Sequence, residues 1–162
     1  MQDIIFSMKD KVLDRLRRQC SRREYCSADI LKKAGDALDG DRNGAKEILD
    51  ALVAEKYVDD LRYATAYARE KAMISGWGET KIRYMLSGKG IPRETISKAL
   101  EEIDEVKADQ RLERLMAAKA KALKDDPQAR LKLLRFGLGR GYQYDEVAAA
   151  IEIIIIKTDE QK

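Results

Sequence analysis

Histidine is absent from the 162 residues. That removes Ser–His and Cys–His nucleophile pairs and nearly all transition-metal catalysis. Cys20 and Cys26 are the only cysteines, and their spacing matches neither a zinc knuckle nor a redox pair. They read as two half-buried thiols in a reducing compartment. No apolar run is long enough to span a bilayer, and Met1–Lys11 carries no secretory pattern. A cytoplasmic location without membrane contact is therefore expected. Phosphate-cradling GxxxxGK[ST] and GxGxxG loops are missing. The glycine-rich stretch Phe136–Gly141 follows a helical run instead of a strand, so it reads as a helix ending in a turn. These absences point away from an enzyme, a cofactor and a small-molecule substrate.

Proline is also scarce, with two residues, and aromatics make up 6%. Charged residues are abundant at 38%, and the hydrophobic share of 44% is enough for a buried core. Many charges, much Ala and Leu and almost no proline predict an all-α protein. Apolar residues recur with helical spacing along most of the length. Met1–Ser7 reads as a loosely held lead-in. Helices are predicted over Met8–Arg23, from a cap at Ser27 through Leu31, and over Ala45–Lys56. Further helices follow over Leu61–Ser75, over Glu79–Ser87, and from Pro92 through Ile103. The last three run over Val106–Lys124, from Asp126–Pro127 through Phe136, and from Tyr144 or Asp145 onward. Ile153–Ile156 exceeds one apolar stripe, so this end is expected to dock on the preceding unit or on another chain.

The stripe Ile96, Ala99, Leu100, Ile103 recurs as Val147, Ala150, Ile151, Ile154, a shift of 51 residues that also carries Gly90 onto Gly141. Ile48, Ala51, Leu52 fit more loosely. This predicts three tandem three-helix repeats stacked into an elongated array with room to curve, each unit too small to bury its faces alone. The expected divisions are a lead-in over 1–8, repeats over 9–58, 59–105 and 106–156, and a tail over 157–162.

Charge alternates in step. Segments 9–33, 34–60, 69–93, 94–113, 114–141 and 142–162 carry +5, −5, +4, −4, +6 and −3, within a total of +3. Such faces are either plain solvated helix surface or a functional stripe. A positive stripe suits a phosphate backbone or an acidic protein groove.

The seam between the first two repeats is Tyr57-Val58-Asp59-Asp60-Leu61-Arg62-Tyr63-Ala64. Asp60 is the expected N-cap, Asp59 adds charge at the positive end of the helix dipole, and Tyr57 and Val58 set the angle of the incoming chain. Tyr63 and Tyr67 share a helix face, as core residues or as platforms for stacked bases. Trp77 reads as a packing plug.

These residues resemble the Y-[LV]-D-D-x-R-[FY]-A signature of the RecX family. Gly76-Trp77-Gly78, Lys81-Ile82-Arg83, Leu86 and Lys89-Gly90-Ile91 are similar to that family's G-x-G-x-x-[RK]-I-x-x-x-L-x-x-K-G-I pattern, and Arg140-Gly141-Tyr142 to its R-G-[FY]. One departure is Gly137, where the repeat shift sets Leu86. The resemblance implies three tandem three-helix repeats in a small cytoplasmic regulator of the RecA recombinase. It also implies binding in the groove of the RecA–DNA filament, usually with inhibition of strand exchange and ATP hydrolysis, in recombination, repair and the SOS response. DNA binding by some members is implied as well.

Beside that resemblance, the expected contacts are Arg62, Arg69, Lys81, Arg83 and Lys89 in the middle unit, extended by Arg15, Arg18, Arg22 and by Arg130, Lys132, Arg135. Tyr57, Asp59, Asp60 and Gly90 are expected to be structural. A stand-alone helical DNA-binding protein is the alternative.

Overall fold

The computed structural model describes residues 2–161, with side chains from residue 8 onward. Among the described residues it is all-helical. The helices are α1 (Gln2–Arg22), α2 (Ser27–Ala37), α3 (Arg42–Ala54), α4 (Asp60–Glu70), α5 (Glu79–Gly88), α6 (Arg93–Glu101), α7 (Glu105–Ala122), α8 (Ala129–Gly139) and α9 (Tyr144–Glu160), with a π-helical turn over Lys71–Ser75 after α4.

Each successive trio encloses its own apolar cluster. Val12, Leu16, Ile30, Ile48 and Leu52 fill the first, Ile82, Leu86, Ile96 and Ala99 the second, and Leu112, Met116, Leu133 and Val147 the third. Cores this small are marginal alone, so the contacts between units matter to stability.

Several boundaries differ from expectation. Helix α1 starts at Gln2, replacing the loose lead-in, because no glycine or proline interrupts propagation from Gln2 to Arg22. Likewise α9 continues to Glu160 through the expected tail. Met1 and Lys162 lie outside the described residues.

The cap of α4 is Asp59, whose carboxylate accepts the Arg62 N–H at 3.0 Å. Asp60 is already helical and turns to the neighbouring unit. Cys26, not Ser27, occupies the cap position of α2, and the α2 residue Asp29 reaches back to the Cys26 N–H. Cys26 is fully buried and joins the middle cluster, so the two thiols are unequal.

The expected single helix from Leu61 to Ser75 widens at Lys71. It ends where Gly76 adopts φ +68° and Trp77 donates to the Lys71 carbonyl at 2.8 Å. Pro92 precedes α6 as its cap residue, and Asp126 caps the turn ahead of α8 through the Gln128 N–H. Helix α8 keeps full length through Gly137, since the missing side chain lets Val147 of α9 pack against it. Ile155 and Ile156 stay exposed.

Candidate functional site

Two joints link the three units, and both follow one plan. In each, an arginine on the first helix of the later unit reaches the segment just ahead of the second helix of the earlier one. At the first joint Arg62 of α4 donates from Nε to Glu24 at 2.7 Å, and from Nη2 to the carbonyls of Lys56 and Tyr57. At the second, Arg111 of α7 donates to the Ile74 carbonyl at 3.1 Å.

The second helix of the earlier unit also meets the later unit directly. The Ser27 N–H at the start of α2 donates to Asp60 at 2.8 Å, and Lys89 in the α5–α6 loop lies 3.7 Å from Asp29. At the start of α5, the N–H groups of Gly78 and Thr80 donate to the carbonyls of Arg140 and Gly141 in the α8–α9 loop, at 2.8 and 3.0 Å. Gly141 has φ +93° and rests on Lys81. The described side-chain hydrogen bonds and ion pairs join residues within a unit or in adjacent units. In the third unit, the Gln128 N–H ahead of α8 is satisfied locally by Asp126, which Lys132 neutralises at 2.6 Å.

The eleven basic residues expected at the binding surface fall into four groups. Arg62 and Lys89 are committed to the first joint. Arg83 pairs with Glu79 and Ser97, Arg130 with Glu152, and Lys132 with Asp126. Lys81 lies over the Trp77 ring at 4.3 Å. The remaining five, Arg15, Arg18, Arg22, Arg69 and Arg135, are exposed and form no salt bridge among the described residues. Arg15, Arg18 and Arg22 share one face of α1, at the i, i+3, i+7 spacing.

Part of the charge alternation is consumed inside the units. Lys9 and Arg17 of α1 pair with Glu47 of α3 and with Glu55 just beyond it, and Arg130 of α8 pairs with Glu152 of α9. Sequence reasoning read such runs as facing outward, because one helix shows which residues are charged but not which helix lies beside it. Arg111 at the second joint was missed, and Arg140 was read only as part of a motif, not as a joint residue. Arg111 lies at nearly the repeat distance from Arg62, a signal that was available.

Tyr63 is buried and stacks on Tyr67 at 6.0 Å, while the half-buried Trp77 sits under Lys71 and Lys81. Burial pushes the Tyr63 phenol up, with Lys89 opposing. Tyr63 and Trp77 are therefore packing residues. No group of histidine, cysteine and carboxylate side chains able to hold a metal occurs among the described residues, and no described helix is long and apolar enough to cross a membrane.

Clefts open on the surface of the described residues. One, about 530 Å³ between α2 and α3, is lined by Lys32, Arg42 and Lys46 together with Asp36 and Asp50, so its charge nearly balances. Another, about 420 Å³, lies between α5 and α6 and is lined by Arg83, Tyr84, Ser87, Arg93 and Ile96.

Residues 59–100 match the family model described as RecX, second three-helix domain. A regulatory protein RecX of Clostridium tetani is 27% identical over 119 residues, covering 71% of this chain and 54% of that relative. One from Salmonella arizonae is 26% identical over 144 residues, covering 88% of this chain and 82% of its own length. The fold is similar to the crystal structure of RecX from Lactobacillus salivarius, with a TM-score of 0.79 and 21% identity over 96% of this chain and 99% of that one. It is also similar to the crystal structure of another regulatory protein RecX, with a TM-score of 0.80 and 22% identity over 93% and 73% of the two chains. Motif, repeat architecture, the matched second three-helix domain and the relatives all support the RecX family.

Proposed function

We propose that this chain regulates the RecA recombinase by lying along the helical groove of a RecA–DNA filament, where it lowers strand exchange and the associated ATP hydrolysis. Its setting is recombination and DNA repair in the cytoplasm. The action is steric and electrostatic, not catalytic: a body seated in the groove obstructs subunit motion or a second DNA strand. Partners are the filament and, weakly and without sequence preference, DNA.

The observation that carries this reading is the joint built twice to one plan. A repeated joint gives a repeated step, and a filament offers its contacts at repeated steps. Several modest contacts made together then reach an affinity that none reaches alone. Names borne by the relatives agree with a regulatory role. The contacts fall to the cations that the fold leaves unpaired, Arg15, Arg18, Arg22, Arg69 and Arg135, with Arg83 and Arg130 only partly engaged.

Strand exchange and ATP hydrolysis by the cognate RecA, with and without the full chain, test the proposal. Lower rates at stoichiometric protein are expected, and unchanged rates with no binding to the filament refute it. Equal affinity for bare DNA and for the filament, with a steep salt slope, favours a stand-alone DNA-binding protein.

A further inference from the structure

The cleft between α5 and α6 holds an aromatic ring that no core uses. Tyr84 is 77% exposed, the most exposed of the large hydrophobic side chains among the described residues. It lies on α5 opposite the buried Ile82 and Leu86, so packing does not account for it.

Two guanidinium groups flank it. Arg83 is held in place, donating from Nε to Glu79 at 2.9 Å and from Nη1 to the Ser97 hydroxyl at 3.1 Å. Its Nη2 has no hydrogen-bond partner among the described residues. Arg93 opens α6, is exposed, and has no salt bridge among the described residues. The nearby acids are Glu79, which Arg83 engages, and Glu94, which follows Arg93 in sequence. Neither lines the cleft. Ser87 adds a hydroxyl, and the buried Ile96 forms an apolar wall.

We propose that this cleft is a subsite for one unpaired nucleotide of a single-stranded nucleic acid, its base stacked on Tyr84 and its phosphate held between Arg83 and Arg93. Any base offers a π-face, so the site is indifferent to sequence. Stacking of this kind contributes roughly 1–3 kcal/mol per base. A duplex hides both faces of its bases and gains only the phosphate contact. An acidic protein loop would satisfy the arginines but leave the tyrosine face unused. The subsite deepens the filament reading, since such a filament holds DNA, but its test uses no RecA, so the two can fail separately.

The test compares full-length wild-type, Tyr84→Ala, Tyr84→Phe and Arg93→Gln proteins by fluorescence anisotropy. The probes are a labelled oligothymidylate and a labelled hairpin duplex of equal nucleotide number, each across a salt series. Thermal melts first establish that every variant keeps the wild-type fold, as expected for such exposed positions. Tyr84→Ala is expected to weaken oligothymidylate binding at least about fivefold, with less than about a twofold effect on the duplex. Tyr84→Phe restores the affinity. Arg93→Gln weakens both probes and lowers the salt slope by about 1.

Wild-type protein that does not bind oligothymidylate at low salt overturns the subsite. So does a Tyr84→Ala variant that binds it normally, or one that loses both probes equally.

Discussion

The backbone N–H of Gly78 donates to the carbonyl of Arg140 across 2.8 Å. Two short glycine motifs, distant in the chain, are thus the two halves of one contact between units. Gly141 lies flat on Lys81 beside it, and a Cβ on Gly78 would run into the backbone of Gly141 and Tyr142. The close approach of two backbones is what demands glycine here.

Substituting Gly78 by alanine should therefore force the middle and third units apart. Backbone is on the far side of the clash, so no flexible side chain can relieve it. A loss of about 3 kcal/mol or more is expected in a urea titration. Gly139→Ala is the control, because a Cβ there meets nothing within 4 Å. It should leave the midpoint within about 0.5 kcal/mol of the starting protein. Equal behaviour of the two variants would dismiss the joint as a determinant of stability.

Arg62 predicts a different response at the other joint. Its fork holds Glu24 and two carbonyls at the end of the first unit at once. Lysine keeps the charge but not the fork. Both Arg62→Ala and Arg62→Lys should lower stability by about 1 kcal/mol, as expected of a partly exposed pair with added backbone contacts. A double-mutant cycle with Glu24→Gln measures the share due to the carboxylate. Full rescue by lysine would reduce the contact to simple charge attraction.

The helical class and the three-unit plan were legible because apolar residues keep a helical period, and because Ile96 and Val147 head the same stripe one repeat apart. The joints were not. Asp59 and Asp60 are adjacent, and sequence alone cannot say which one faces its own helix and which faces Ser27 of another unit. For the same reason Arg62 and Lys89 read as surface charge, although the fold turns them onto Glu24 and Asp29. Cys26 looked like half of an ordinary thiol pair, since its burial comes from the middle unit and not from its own helix. Tyr84 left a faint trace as an aromatic off the apolar stripe of α5.

The two cysteines should separate under a thiol reagent. Burial raises both thiols above their ordinary value, but only Cys26 is fully enclosed. Near neutral pH Cys20 should react slowly and Cys26 hardly at all. Titration with an aromatic disulfide reagent should count fewer than two thiols in the native protein and two after denaturation. Prompt reaction of both under native conditions would mean that the first joint opens readily.

Acid should weaken the turn between α7 and α8 in the third unit. The Lys132 ammonium, and next the Gln128 N–H, hold the Asp126 carboxyl below its ordinary value of 3.8. A group depressed in the folded state stabilises fully above its unfolded value and loses that contribution as pH falls through the folded one. Asp126→Asn should accordingly cost stability at neutral pH and progressively less as pH drops below 3.8. Urea midpoints of both proteins across that range check the sign, and a gap that widens in acid would reverse it.

The sharpest functional test lies on α1, where Arg15, Arg18 and Arg22 are exposed on one face without salt bridges, while Arg17 between them is tied to Asp14 and Glu55. Reversing the three free arginines to glutamate removes no described ion pair, so any loss of action on RecA cannot be blamed on a broken joint. Arg17→Glu does break a described clasp between α1 and the end of α3. If the α1 face meets the filament, the triple variant should keep its melting temperature within a few degrees. It should lose at least about tenfold in potency against strand exchange, as reversal of several steering charges at an acidic or phosphate-lined partner predicts. Arg17→Glu should instead lower stability first. A triple variant that inhibits as well as the starting protein would move the binding face off α1 and onto Arg69, Arg135 and the cleft at Tyr84.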